Sequence, residues 1–294
     1  MSGLGAALQV LVSGATVGSV YALVALGLVL LYRTTRILNF AHGDIGVLGT
    51  FLAYVLLTQL DLPFGVSFAL ALAAAALIGA LLYLVVVRPA KTETDLGLII
   101  LTLGLALALG GFDALVFGTD NKVVPTLVPD RVVRVAGAGL SVASLVTASL
   151  GVVLMLALWA LLSYTRLGIA MRALAQRPDV AEALGLPVRT VLLATWGAAA
   201  VLATAAALLF APTTLLNPSM MLDPLSKGFV AVVIGGMNSL PGAVLGGYVL
   251  GVLELVVGVY VSLEFKASFA FLVVILVLLL RPHGLLGRPD VKRV

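Results

Sequence analysis

The chain runs for 32 residues before its first charged group, Arg33. An apolar stretch of that length exceeds the roughly 20 residues needed to cross a hydrocarbon core of about 30 Å. On a soluble protein it would leave a large apolar patch facing water. The stretch lacks the basic start of a secretory signal and is too long for the apolar region of one, so it is read as a first span over 7–32. The rest of the 294 residues are of the same kind. Of the whole chain 62% is hydrophobic and 10% charged, with a mean hydropathy of +1.22, where a soluble domain carries about a quarter charged residues. At about 30 residues for each span and its loop, the length accommodates about eight to ten spans and no sizeable soluble domain.

Charges punctuate the remainder. They predict segments over 45–60, 64–87, 96–117, 141–164, 191–210, 228–237, 242–261 and 265–280. The first of these has 16 residues before Asp61, and the uncharged part of the last, 267–280, has 14, both short for a crossing. The reading is an all-α, polytopic transmembrane helical bundle of eight or nine membrane segments, some short, broken or re-entrant. It forms one transmembrane domain over 1–294. Barrel strands would alternate apolar and polar residues over about ten positions, which these runs do not. A polar stretch, Gly118 to Gly139, interrupts the series.

Orientation follows from Lys and Arg. Alternate loops place Arg33, Arg36, Arg88, Lys91, Arg166, Arg172, Arg177, Arg189, Arg281, Arg288, Lys292 and Arg293 on one side and Lys122, Arg131, Arg134, Lys227 and Lys266 on the other, 12 against 5. The first side is read as cytoplasmic, with the C-terminus inside and the N-terminus outside. The net charge of +4 is thus a topology signal and not a nucleic-acid footprint.

Absences narrow the function. No lysine follows a glycine, so there is no phosphate-binding loop of the G-x-x-x-x-G-K type. Cysteine is absent, the histidines are only His42 and His283, and no G-x-S-x-G elbow occurs. No enzyme activity, metal or cofactor is expected.

Four features rise above the apolar background. Asn39, His42, Gly43 and Asp44 sit where the first span ends, beside a half-length segment with Gly46 and Gly49. This is either an ordinary loop with a capped helix start or an interrupted, re-entrant element, which persists at membrane depth only under cover of protein or of a water-filled cavity. Gly235-Gly236-Met237-Asn238-Ser239-Leu240-Pro241-Gly242 is a second break, followed by Gly246, Gly247 and Gly251. The two share a crude Asn-x-x-x-Gly spelling, and paired broken segments point to a translocation site; with 31 glycines in the chain, chance similarity is an equal reading. Third come the acids within spans, Asp113 and Glu254. Asp113, near the outer end of its helix, is expected to reach the interface; Glu254 is expected inside, contacting substrate or bonding a neighbouring helix. Fourth is the inside loop 166–189. Pro178 stands where a second short helix starts and Gly185 where it ends, giving either a docking element or a helix lying on lipid.

At these residues the sequence resembles a known family, the branched-chain amino acid permease subunits of bacterial ABC importers of the high-affinity Liv type. The resemblance covers essentially the whole chain and is strongest over 18–49 and 227–254. The Asn39–Gly43 run NFAHG and the pattern GG-x-N-S-x-PGA-x-x-GG at 235–247 carry it most specifically, with LLLRPHGLLG at 278–287 in the same style. It implies a subunit of the plasma (inner) membrane, working with a second related permease, two cytoplasmic ATP-binding subunits and an extracytoplasmic substrate-binding protein. The run GIAMRALAQRPDVAEALGL then resembles the segment that importer permeases insert into their ATPases, so Arg172, Asp179, Glu182, Ala183 and Gly185 are expected at that contact. Its E-A-L-G is a loose form of the family's E-A-A…G signature. Asn39, His42, Gly43, Asp44, Asn238, Pro241, Gly242 and Glu254 are expected to line the path or shape the helix breaks. The implied substrates are leucine, isoleucine and valine, with other amino acids, urea or short amides as alternatives. An ion-coupled carrier using Glu254 or Asp113, or a passive channel, are the competing mechanisms.

Overall fold

In a bilayer every backbone N–H and C=O must find its partner within the protein, and a helix does this without help from neighbours. The computed structural model describes residues 3–90, 94–126, 128, 131–135 and 138–287. Its helices are α1 (Gly3–Thr35), α2 (His42–Thr58), α3 (Phe64–Leu82), α4 (Asp95–Phe117), α5 (Val142–Tyr164), α6 (Arg166–Gln176), α7 (Pro178–Ala183), α8 (Val188–Phe210), α9 (Leu222–Gly235), α10 (Leu240–Tyr260) and α11 (Leu263–Leu280). A π-helical turn, Tyr83–Val87, extends α3, and a 3-10 turn, Ala211–Thr213, extends α8. By length and composition α1, α3, α4, α5, α8 and α10 can each cross a membrane, while α2 and the part of α11 from Ser268 to Leu280 are shorter apolar helices. The protein is a polytopic helical membrane bundle. Lys91, Asp130, Arg288, Lys292 and Arg293 lie outside the described residues, as does the side chain of Asp179.

Local chemistry sets many of the boundaries. Thr94, Thr165 and Ser239 accept the backbone N–H three residues on, from Gly97, Gly168 and Gly242, and so start α4, α6 and α10. The polar stretch after α4 is not wholly irregular. It forms a hairpin of β1 (Val132–Val135) and β2 (Ala138–Ser141), antiparallel, with Val132 opposite Ser141 and Val135 opposite Ala138.

The chain divides into two compact units. The first takes Met1–Val29, Thr126–Gly151 and Asp223–Val294; the second takes Leu30–Pro125 and Val152–Leu222. In the first unit α1 runs antiparallel to α10. Gly14 lies against Val252, Gly18 against Tyr248 and Gly247 against Ala22, and a Cβ on Gly251 would stand 2.5 Å from the Cα of Gly18. α9 and α10 meet as tightly, for Gly235 and Gly242 each face the other's backbone. Small residues let backbones approach where lipid offers no hydrophobic drive for helix association. The turn after α11 closes this unit: Leu285 N–H donates to Ile234 O (2.8 Å) and Leu286 N–H to Gly235 O (3.0 Å), satisfying carbonyls at the end of α9.

In the second unit α8 is the central helix. It runs parallel to α2, where Gly46 lies against Ala203 and Gly49 against Thr204. It runs antiparallel to α3, where Gly79 lies against Trp196 and Ala200. Apolar clusters fill the remaining space: Ile45, Leu48, Ala75, Leu105, Leu109 and Ala200 in one, and Leu31, Ile37, Tyr83, Val87, Trp196 and Ala199 in another.

Several boundaries differ from those that charge punctuation suggests, and those of α2 and α9 bear on the buried polar groups. α2 starts at His42 and takes Asp44 into its first turn, where a carboxylate complements the helix dipole. α9 starts at Leu222, because Lys227 does not end an apolar segment there: it is buried and paired.

Candidate functional site

The first unit buries charge and pairs it. Glu254 on α10 is 1% exposed. Lys227 on α9 donates to its Oε1 at 2.6 Å, Tyr21 on α1 donates to its Oε2 at 2.9 Å, and the Lys266 ammonium of α11 stands 3.6 Å from Oε1. Lys227 also bonds the exposed Asp223 at 2.8 Å, one turn back on its own helix, and lies 5.6 Å from the centre of the Tyr21 ring. Four helices thus converge on one carboxylate, with both of its oxygens engaged. A buried ion costs several kcal/mol to desolvate, and this geometry offsets the cost with close partners of opposite sign.

The second unit buries polar groups and leaves them without partners. Asn39 stands in the break between α1 and α2. Its Oδ1 accepts the Ala41 N–H (3.1 Å), which turns the chain into α2, and its Nδ2 has no partner. His42, the first residue of α2, is fully buried with neither ring nitrogen bonded. Gly43 behind it is buried and Asp44 partly exposed. On α8, Trp196 Nε1 and Thr204 Oγ1 are likewise buried and unbonded. Asp113 does not reach an interface. It is 0% exposed, and neither carboxylate oxygen has a hydrogen bond. The reason is rotational: Asp113 follows Thr102, Leu105 and Leu109 on the inward stripe of α4, so its depth along the helix does not bring it to water.

The inside loop folds as α6 and α7, two short helices. α7 opens at Pro178 and is followed by Gly185 at φ 76°, the left-handed conformation that ends helices. Met171, Leu174 and Ala181 point inward, while Arg172, Glu182, Ala183 and Gly185 are exposed, with Leu184 78% exposed beside them.

The expected site residues are divided between the two units. Asn39, His42, Gly43 and Asp44 belong to the second unit. Asn238, half-buried in the break before α10, belongs to the first with Pro241, Gly242 and Glu254. The shared Asn-x-x-x-Gly spelling opens helices that pack differently, since α2 is parallel to α8 and α10 antiparallel to α1. Tyr21, Lys266, Trp196 and Thr204 were not legible as site residues, and Lys227 read only as a loop charge. A lysine directly before the apolar run of α9 was the available signal for the last. Among the described residues no group of three or more His, Cys, Asp or Glu is placed to hold a metal.

The family model for the permease component of branched-chain amino acid transport systems matches residues 10–279. The high-affinity branched-chain amino acid transport system permease protein LivH of Salmonella typhimurium is 32% identical over 303 residues, covering 98% of this chain and 97% of the relative. BraD of Pseudomonas aeruginosa, a permease protein of the same description, is 33% identical over 98% of each chain. A probable branched-chain amino acid transport permease, LivH of Methanocaldococcus jannaschii, is 28% identical over 90% of this chain and 88% of its own length. No solved structure matches. With a bundle of spans and a family match over residues 10–279, the chain belongs to the permease family of branched-chain amino acid ABC transport systems, as a non-catalytic membrane subunit.

Proposed function

We propose that this permease moves branched-chain, hydrophobic amino acids into the cell by alternating access, as one of two related permeases. ATP is hydrolysed on two cytoplasmic subunits, and an extracytoplasmic binding protein delivers the substrate. The observation that carries the reading is the match over residues 10–279 to the permease component of branched-chain amino acid transport systems. The Lys and Arg bias supports an orientation with the C-terminus and the α6–α7 loop inside.

In that orientation Arg172, Asp179, Glu182, Ala183 and Gly185 meet the ATPase. The support is the form of the elbow, whose inner face is held by Met171, Leu174 and Ala181 while its charged face and Leu184 are open to a partner. Asn39, His42, Gly43 and Asp44, with Asn238, Pro241 and Gly242, shape the breaks beside the path. Glu254 holds α1, α9, α10 and α11 in register, since both of its oxygens are already bonded.

Uptake of radiolabelled leucine into reconstituted vesicles tests the proposal, with urea and glutamate as comparisons. Leucine is expected to accumulate only with ATP, both ATPases, the second permease and the binding protein, and Glu182→Ala is expected to abolish uptake without loss of membrane insertion. Flux through this chain alone would overturn the reading.

A further inference from the structure

α4 runs beside α2 and the break that precedes it in the second unit, and three contacts fix the register. The Thr102 hydroxyl donates to Leu38 O (3.1 Å). A Cβ on Gly110 would meet only Asp44 Oδ1, at 3.6 Å. The Phe51 and Phe117 rings stack with centroids 4.6 Å apart and planes 3° apart. The residue offsets are nearly constant, so the helices are parallel, and Asp113 falls between the level of Asp44 and the level of the aromatic stack. Leu48 and Leu109 of the same apolar cluster lie on the facing sides. Two acids thus lie along one apolar helix interface, and the deeper one is fully enclosed with neither oxygen bonded.

A bare carboxylate at such a place is costly, and within a membrane segment it marks a site by default. The surroundings restrict what compensates it. A hard metal ion takes six or more oxygen ligands, and among the described residues no third acidic or histidine ligand joins these two. A compact cation with N–H donors suits two carboxylates from adjacent helices, with aromatic rings to face it. Apolar Leu48 and Leu109 suit an aliphatic group attached to that cation.

We propose that Asp113 and Asp44 form a binding site for the α-ammonium group of an aliphatic amino acid, roofed by the Phe51–Phe117 stack. Asp44, partly exposed, is the member a solute reaches first, and Gly110 places no side chain between it and α4. The site rests on the amino-acid reading above and adds to it a place where the substrate is held within this chain.

The test uses the assembled importer carrying Asp113→Asn or Asp44→Asn. Leucine uptake is expected to fall at least about tenfold in each, the factor that losing a hydrogen bond to a charged group gives. Wild-type uptake is expected to be unchanged when sodium is replaced by N-methylglucamine. A second measurement needs no transport: isoamylamine, an aliphatic ammonium without a carboxylate, is expected to raise the melting temperature of the wild-type complex and not that of Asp113→Asn. Wild-type uptake in both aspartate variants would overturn the site, and so would an uptake that depends on sodium, which would make an inorganic cation the occupant. Absence of leucine uptake by the wild-type assembly, with the isoamylamine shift intact, would instead remove the transport reading and leave the ammonium site standing. If Asp113→Asn fails to assemble, Asp44→Asn and the wild-type melting shift decide, and a negative result in both overturns the proposal.

Discussion

The two units pack their helices alike and treat buried polar groups differently. In each, a long helix lies antiparallel to another through glycine-on-backbone contacts, α1 on α10 in the first and α8 on α3 in the second. In the first, the buried carboxylate of Glu254 has two lysines and a tyrosine around it. In the second, Asn39, His42, Asp113, Trp196 and Thr204 contribute every buried side-chain nitrogen or oxygen that lacks a partner among the described residues. Satisfied buried networks make a fold rigid and specific, whereas unsatisfied groups cost free energy and persist where something else uses them. The first unit is thus built as a scaffold, and the second keeps unused polar capacity next to its broken helix.

The first unit is most vulnerable at Lys227. Lys227→Met leaves Glu254 buried with only Tyr21 and the more distant Lys266, and is expected to cost about 3–5 kcal/mol. Thermal unfolding of the purified complex measures it, and Lys227→Met with Glu254→Gln together is expected to recover part of the loss. A double variant as unstable as the two losses summed would show that the pair is not coupled. Next is Gly251→Val, which drives a side chain into the backbone of Gly18 and is expected to cost about 1–3 kcal/mol or more by overpacking. Asp223→Asn removes the exposed end of the network and is expected to cost about 0–1 kcal/mol, falling further at high salt. The smallest effect belongs to the second unit. Thr204→Val exchanges an unbonded hydroxyl for a methyl of like shape, so stability is expected to stay within about 0.5 kcal/mol or rise. A large loss there would mean that the hydroxyl is bonded after all, and the contrast between the units would shrink.

Much of the architecture is legible along the chain because its causes are local. Apolar runs between charges mark the spans, and Thr94, Thr165 and Ser239 mark helix starts three residues ahead of the N–H they cap. Pro178 and Gly185 bracket α7 by their fixed and left-handed φ. The hairpin at β1 and β2 was not legible, since four-residue strands among glycines and arginines carry too short a pattern. For the candidate site the sequence supplied the residue types at Asn39, His42 and Glu254 but not their company.

A residue's neighbours a turn or two away settle much of this chain: its helical membrane character, the number and order of most of its apolar helices, and the elbow at 166–189. Only the tertiary structure decided that Asp113 faces inward and stays unbonded. Only it decided that Lys227 and Tyr21 meet Glu254, across 27 and 233 positions of sequence, and that glycines face backbone in place of lipid. The physical reason is that in a chain this apolar nearly every face of a helix suits the membrane, so composition does not say which face turns inward. That choice is made where two helices from distant parts of the chain meet, by the room a glycine leaves and by the partner a charge finds there.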